Sequence, residues 1–275
     1  MKYFLLTITA LSWNAFGLDL IPHTDLLTGD LQIVTAKMKL NDRPFECLVD
    51  TGARHTMVQS KFIKDLPVVG TTTGGGISNT NQVTELVNAY LKLGEWEIIN
   101  ATIGRTPRIP FECLIGNDFF MDKHFTIDIK KLSVKTEESE SQGYLKLNVY
   151  KSEHGGHFGF DVVVAKNTIG TIFDTGAAST VVDLDFVKEH LEHFLLIKEI
   201  NVTDGNSATI KAGLYKVDEL QFGNVLLKDV EIYALDLSAL KAKLPFVVGI
   251  LGMNIIKNYK WSFNIPESSF QYSKN

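Results

Sequence analysis

The sequence predicts an all-β protein, mostly strand, built as two similar lobes with short helices between strands. Three observations predict it. The tetrapeptide Asp-Thr-Gly-Ala occurs twice, as Asp50-Thr51-Gly52-Ala53 and as Asp174-Thr175-Gly176-Ala177. The segments around the two copies retrace each other in the same order. Short runs of alternating apolar residues, bounded by turn signals, outnumber helical periods.

The elements follow in pairs. Val34, Ala36, Met38 and Leu40 alternate with polar residues, Asn41-Asp42-Arg43 turns the chain, and the apolar run 45–49 delivers Asp50. In the second half Leu145, Leu147 and Val149 alternate, the run 160–164 leads to a turn at Lys166-Asn167, and the run 171–173 delivers Asp174. Thr56-Met57-Val58 matches Thr180-Val181-Val182, and each precedes a short amphipathic helix candidate, 59–66 and 185–196. A Gly-rich or polar hairpin tip comes next, 71–81 in one half and 203–207 in the other. Leu91-Lys92-Leu93-Gly94 then matches Leu220-Gln221-Phe222-Gly223.

Pro110-Phe111 leads to Leu114-Ile115-Gly116 as Pro245-Phe246 leads to Ile250-Leu251-Gly252. Each glycine precedes a brief helix and a last alternating strand, marked by Phe125, Ile127, Ile129 and by Trp261, Phe263, Ile265. Residues 135–143 are charged and poor in apolar side chains, and read as a surface linker. The lobes are thus assigned to residues 18–140 and 141–275.

The first 17 residues are set apart from the fold. Lys2 gives a positive start, residues 3–13 are largely apolar, and Ala15-Phe16-Gly17 offers small residues at the spacing of a cleavage site. The apolar stretch is shorter than the ~20 residues a membrane span needs. It reads as a cleaved secretory signal, which sets the expected location as secreted or periplasmic, with no membrane association after cleavage. The net charge of -5 argues against a nucleic-acid partner. With 2 Cys, Cys47 and Cys113, a disulfide-dense scaffold is excluded, and one bridge is compatible with an oxidising compartment.

A strand ending in Asp and a tight Gly turn fixes a carboxylate, and two similar lobes can bring two such carboxylates face to face. Held within hydrogen-bonding reach, they share one proton, so one can take a proton from water while the other donates one. Asp50 and Asp174 are the candidate catalytic pair. Thr51 and Thr175 can hydrogen-bond across a pseudo-two-fold axis, Gly52 and Gly176 permit close approach, and Ala53 and Ala177 complete the loops. Thr73, Gly74, Gly75 and Gly76, with Thr203, Asp204 and Gly205, are candidate flap and substrate-contacting residues. His154 and His157, or His190 and His193, have spacings that invite a metal, but no Cys, His or Glu completes a set. They read as solvated histidines, with no metal and no cofactor expected. Asp118, Asp183 and Asp185 read as caps or surface charges.

The pattern Asp-Thr-Gly-Ala-x-x-Thr, followed at a distance by a hydrophobic pair and Gly, spans Asp50 to Gly116 and Asp174 to Gly252. In this the chain resembles the retropepsin-like aspartic proteases, here as a tandem duplication in one chain of the bacterial type. The resemblance runs from about residue 31 to 272. It implies an aspartic endopeptidase that needs no cofactor, acts as a monomer, and binds a peptide or protein substrate in extended form under a flap from each lobe. A catalytically silent peptide-binding module on the same fold is the alternative. Apolar walls near Val49, Ile115, Phe173 and Leu251 are expected to form subsites.

The departures are local. Where relatives carry an acidic residue after Ala and an Arg after the distant Gly, this chain has Arg54 with Asn117-Asp118, and Ala178 with Met253. An Arg54–Asp118 pair is the expected charge-swapped brace, and Arg54 with His55 is expected to favour the ionised dyad. The resemblance also makes the strands of Cys47 and Cys113 neighbours, so the two are expected as a disulfide or as two buried thiols.

Overall fold

The computed structural model describes residues 17–25, 29–77, 79–107, 109, 111–136, 144–152, 155–203 and 209–275. The first lobe contains β1 (Gly17–Thr24), β2 (Leu31–Leu40), β3 (Arg43–Val49), β4 (Met57–Gln59) and β5 (Val68–Gly76). It continues with β6 (Asn79–Leu93), β7 (Trp96–Thr106), β8 (Cys113–Ile115), β9 (His124–Asp128) and β10 (Ser133–Thr136). The second lobe opens with β11 (Leu145–Lys146), β12 (Asn148–Ser152), β13 (Gly155–Gly159), β14 (Asp161–Val164), β15 (Asn167–Phe173) and β16 (Val181–Asp183). Then come α1 (Leu184–Glu189), β17 (Phe194–Thr203), β18 (Thr209–Phe222), β19 (Val225–Leu235) and α2 (Ser238–Lys241). It ends with β20 (Val247–Leu251), α3 (Met253–Ile256), β21 (Tyr259–Asn264) and β22 (Ser269–Lys274).

The fold is mostly β and two-lobed, as the sequence predicts. In each lobe six strands close on themselves, which removes the exposed edges of an open sheet. The ring β2-β3-β8-β4-β7-β6 closes where Met38 and Leu40 face Leu93 and Leu91. The ring β14-β15-β20-β16-β19-β18 closes where Val163 and Val164 face Gln221 and Leu220. The alternation in β2 buries Val34, Ala36, Met38 and Leu40 inside the first ring. Left outside the rings, β5 and β17 are the outer strands of two long hairpins, β5/β6 and β17/β18.

The lobes are joined by backbone and by core. Strands β1-β10-β9-β21-β22-β11 form one continuous run of sheet whose central pair, β9 and β21, comes from different lobes. There Phe125 faces Phe263, Thr126 faces Ser262, and Ile127 faces Trp261. The Thr126 and Ser262 hydroxyls hydrogen-bond to each other at the centre. Rings from both halves pack above this seam: Phe125 and Phe263 are 5.4 Å apart, and Phe173 lies 4.8 Å from Phe263 and 5.2 Å from Trp261. Phe173 precedes Asp174, so the shared aromatic core fixes the strand that delivers that carboxylate. Aromatic contacts of this kind add ~0.5–1.5 kcal/mol each beyond area burial.

Several expectations change. The helix candidate 59–66 is a single 3-10 turn, Ser60–Phe62, and the candidate 185–196 is α1 plus a 3-10 turn, Leu191–His193, before β17 begins at Phe194. Stretches this short cannot sustain a helix on propensity alone; β17 takes the second one over at Phe194, while 63–66 stay in turns and bends before β5 begins at Val68. The predicted linker begins too early, since Lys135 and Thr136 pair with Thr126 and Phe125 in β10, while 137–143 lie outside the described residues. The strand β1 was not foreseen at all. Leu18 and Leu20 alternate and are buried, but they follow directly on the predicted leader, which hides the pattern. Of that leader, residues 1–17, positions 1–16 lie outside the described residues, while Gly17 begins β1 and pairs with Lys135.

Cys47 and Cys113 are opposite each other on the parallel strands β3 and β8, both fully buried, with Cα atoms 4.6 Å apart, and they form a disulfide. The bridge closes a loop of 66 residues. Loop-closure entropy alone then gives about 4 kcal/mol of stabilisation. Chemical denaturation of the Cys47→Ala, Cys113→Ala double variant is expected to show a loss of that order, and wild type in excess dithiothreitol a similar one. Unchanged midpoints in both would contradict the bridge.

Candidate active site

Both candidate carboxylates sit where a strand end meets a parallel neighbour. The Asp50 N–H donates to the Ile115 carbonyl at 3.0 Å, and the Asp174 N–H to Leu251 at 3.0 Å. The chain then turns sharply, and the turn amides point back at the carboxylate. Asp50 Oδ1 accepts from Gly52 N at 3.0 Å and Ala53 N at 2.9 Å. Asp174 Oδ1 accepts from Gly176 N at 2.8 Å and Ala177 N at 3.1 Å. These bonds orient each carboxyl before any ligand binds.

The two loops are clasped across the axis. Thr51 Oγ1 donates to the Phe173 carbonyl at 2.9 Å, and Thr175 Oγ1 to the Val49 carbonyl at 2.6 Å. In return, Thr51 N donates to Thr175 Oγ1 at 3.2 Å and Thr175 N to Thr51 Oγ1 at 3.0 Å. Both threonines are fully buried, so their polar atoms have no recourse to water and the bonds are obligatory. The glycines make the approach sterically feasible. A Cβ on Gly52 would lie 2.2 Å from Asp174 Oδ2, and one on Gly176 would lie 2.6 Å from Asp50 Cγ.

The clasp brings the two carboxyls together, Asp174 against Gly52 and Asp50 against Gly176, so that their charges act on each other. Burial first, and the Asp174 carboxylate beside it second, hold the Asp50 carboxyl well above the usual carboxylate range. Burial likewise raises Asp174, against the pull of the turn amides. One shared proton belongs to the pair. Arg54 turns to the Thr73 carbonyl of the first flap instead, and the net shift of both carboxyls is upward, not toward the ionised pair.

A second ring of bonds supports each loop from behind, and here the sequence reading needs correction. Asp118 does not pair with Arg54. Its Oδ2 accepts from Thr56 N and its Oδ1 from Thr56 Oγ1, both at 2.8 Å, while Thr56 Oγ1 accepts from Gly116 N at 3.1 Å. In the other lobe Asn254 Oδ1 accepts from Thr180 N and Thr180 Oγ1, both at 2.8 Å, and Thr180 Oγ1 accepts from Gly252 N at 3.2 Å. The same brace is thus built from a carboxyl in one lobe and an amide in the other. The signal was present as Thr at six positions after each Asp and a carboxyl or amide two after each distant Gly. Asn117 adds a bond from Nδ2 to the Thr51 carbonyl at 2.5 Å and to Gly156 at 3.2 Å.

Other candidates move too. Asp183 is buried and accepts from Leu237 N at 3.2 Å and from Lys241, tying α2 to β16. Asp185 is a surface charge paired with Lys188 at 3.1 Å. His157 is not a solvated histidine: its Nδ1 is buried without a partner, and the ring bonds to the backbone of Gly52. Burial first, and the nearby Arg54 cation second, lower its pKa to about 4. His193 meets Asp218 at 3.5 Å, His190 contacts Asn167 at 3.4 Å, and His154 lies outside the described residues. Among the described residues no group of three or more His, Cys, Asp or Glu could hold a metal.

Thr73, Gly74, Gly75 and Gly76 form the end of β5, so the first flap is a paired hairpin up to its tip. Thr203 ends β17, and Asp204 and Gly205 lie outside the described residues. Val49, Ile115, Phe173 and Leu251 do not line the cleft; they point into the large core shared by both lobes. Their strand neighbours face the other way. Leu48 and Leu114 form a small apolar cluster with Ile109 and Ala53, and Ile250 and Val181 form another with Leu237 and Ala177. Each cluster holds the alanine that follows its Asp-Thr-Gly. Ile77, at the tip of the first flap, packs against the second-lobe cluster.

A family model described as aspartyl protease matches residues 36–119 and again 160–255, one match on each lobe and each spanning one clasped Asp loop. The chain belongs to the aspartyl protease family. A search of curated proteins finds no match. The family's domain is duplicated in this chain, and both copies keep Asp, Thr and Gly at the clasp.

Burial raises the Asp118 carboxyl to about 6, against hydrogen bonds from Thr56 and Phe119 that favour ionisation. The unfolded value is about 3.9. Its protonated form therefore contributes stability fully below about pH 4, and that contribution is lost as pH rises through about 6. Asn254 shows that an amide can make the same brace. Asp118→Asn is expected to raise unfolding free energy by on the order of 2–3 kcal/mol at pH 8 and to change little at pH 4. Chemical denaturation at the two pH values checks it, and an equal effect at both would contradict this account.

Proposed function

We propose that the chain hydrolyses peptide bonds as an aspartic endopeptidase. The observation that carries this reading is the pairing of the Asp50 and Asp174 carboxyls, each packed against the glycine of the other loop and held there by the Thr51–Thr175 clasp. The ionised carboxyl takes a proton from a water as that water's oxygen attacks the amide carbon. The protonated carboxyl donates to the carbonyl oxygen, giving a neutral tetrahedral diol. Collapse returns one proton to a carboxyl and passes the other to the leaving nitrogen, releasing an acid and an amine. This is general acid–base catalysis with no covalent enzyme intermediate. The amides of Gly52, Ala53, Gly176 and Ala177 hold the carboxyls in place throughout, so little reorganisation accompanies the step.

The substrate in this reading is an extended peptide lying between the flaps, with apolar side chains beside the Ala53 and Ala177 clusters. Flap 1 closes over one of these pockets through Ile77. A secreted or periplasmic location fits the Cys47–Cys113 bridge, which persists in an oxidising compartment. The two-lobed dyad is complete in one chain, which favours a monomer.

Digestion of a diverse peptide mixture from pH 3 to 8 tests the activity. Wild type is expected to cleave, and Asp50→Asn and Asp174→Asn to lose at least ~10²–10⁴-fold in rate. Both variants are expected to melt higher than wild type near neutral pH, where the raised pKa values penalise ionisation, and to lose that gain in acid. Binding of peptides by wild type without cleavage at any pH would leave a silent peptide-binding module, and equal cutting by all three proteins would remove the dyad from the chemistry.

A further inference from the structure

The clasp and the braces repeat in both lobes, but the residue after Ala does not. In the second lobe it is Ala178; in the first it is Arg54, a half-buried cation on the loop that carries Asp50. Its Nη2 donates to the Thr73 carbonyl at 2.6 Å and lies 3.4 Å from Thr72 Oγ1, so the guanidinium sits beneath the first flap. A Cβ on Gly74 would come within 4.0 Å of the same nitrogen. Among the described residues Arg54 has no carboxylate partner: the nearby acid, Asp118, is spent on Thr56. A guanidinium carries five N–H donors in a planar fork suited to a carboxylate, and only one nitrogen is engaged by the flap.

The surroundings make this an unfavourable place for a cation with nothing bound. Burial pushes the Arg54 pKa down. Lys243, beyond α2 in the other lobe, is lowered by burial first and by the Arg54 charge second. His157 is lowered partly by the same charge. The protein as a whole is acidic, with a net charge of -5, so this positive spot stands against its background. An anion brought under the flap would gain charge-assisted hydrogen bonds from the guanidinium.

We propose that Arg54 is a specificity-determining residue that binds a carboxylate of the extended peptide on one side of the dyad, so that the cleft selects acidic substrates. This rests on the peptide-cleft reading above and deepens it. The carboxylate has two sources, an Asp or Glu side chain or the free C-terminus of a short peptide. Either would compete with, or share, the bond now made to the Thr73 carbonyl. The first flap would then sense the ligand directly.

The test uses short peptides built around a central Leu-Phe pair, with Glu or Gln placed in turn at each flanking position. Each is made with a free and with an amidated C-terminus. Cleavage is measured as kcat/KM for wild type, Arg54→Gln and Arg54→Lys, and binding by fluorescence anisotropy on the Asp174→Asn background. At one position wild type is expected to favour Glu over Gln, or the free acid over the amide, by about tenfold or more, as one charge-assisted pair supplies. Arg54→Gln is expected to collapse that ratio to about one, and Arg54→Lys to keep part of it. Melting curves establish that the variants are folded.

The proposal is overturned if wild type discriminates nowhere, or if Arg54→Gln keeps the preference. It is also overturned if Arg54→Gln weakens every peptide equally, which is what a latch for the flap alone would do. If wild type cuts nothing yet Asp174→Asn binds the acidic peptides selectively through Arg54, hydrolysis falls and the carboxylate site stands. If cleavage occurs without acidic selectivity, the site falls and hydrolysis stands.

Discussion

The reciprocal hydrogen bonds of Thr51 and Thr175 are the constraint on which the rest of the structure depends. Two carboxyls in contact in a buried loop repel when both are charged and lose hydration whether or not they are. The clasp offsets this by joining the two loops through buried side chains that have no other partner. Behind it, the Asp118 and Asn254 braces and the amides of the Gly turns stiffen each half. Strain in the dyad is therefore balanced by bonds in the layer beneath it, which is how a pair of raised pKa values can be held at rest.

The joined lobes make the clasp geometrically dependable. The β9/β21 pairing and the shared aromatic core hold the two rings in one relation, so the axis through Thr126 and Ser262 sets the meeting of Asp50 and Asp174. Symmetry ends at the surface of the cleft. On one side Arg54 reaches the flap backbone, and His157 from the second lobe presses on the Gly52 turn; on the other side the matching position is Ala178, whose methyl carries no charge. Symmetric machinery with unequal walls suits a peptide, which has a direction and so presents different groups to the two lobes.

Much of this was legible in the sequence because repetition is a strong signal. Every strand that builds the rings has a partner in the other half, and alternation such as Val34, Ala36, Met38, Leu40 identifies the buried face without coordinates. The dyad, the threonines and the glycines followed from one tetrapeptide seen twice. What failed was local and physical. The helix at 59–66 shrank to one 3-10 turn, too short to hold on propensity alone, and β1 was masked by the apolar leader before it. Val49 and Ile115 face the shared core while their strand neighbours Leu48 and Leu114 face the opposite side, since a shift of one in a strand exchanges its two faces.

The charged residues mark the boundary between the two kinds of knowledge. Arg54 and Asp118 are opposite in sign and close in space, and nothing in their spacing says that they ignore each other. The choice is made by three-dimensional competition: Thr56 offers Asp118 two donors, and the flap offers Arg54 a carbonyl. By itself the sequence determined that two lobes of one design each deliver an Asp into a Gly turn, because strand periodicity and turn chemistry are local. Only the tertiary structure decided which side chains face each other across the axis, which carboxyls are raised, and which wall of the cleft carries charge. Those depend on burial and on partners far apart in the chain.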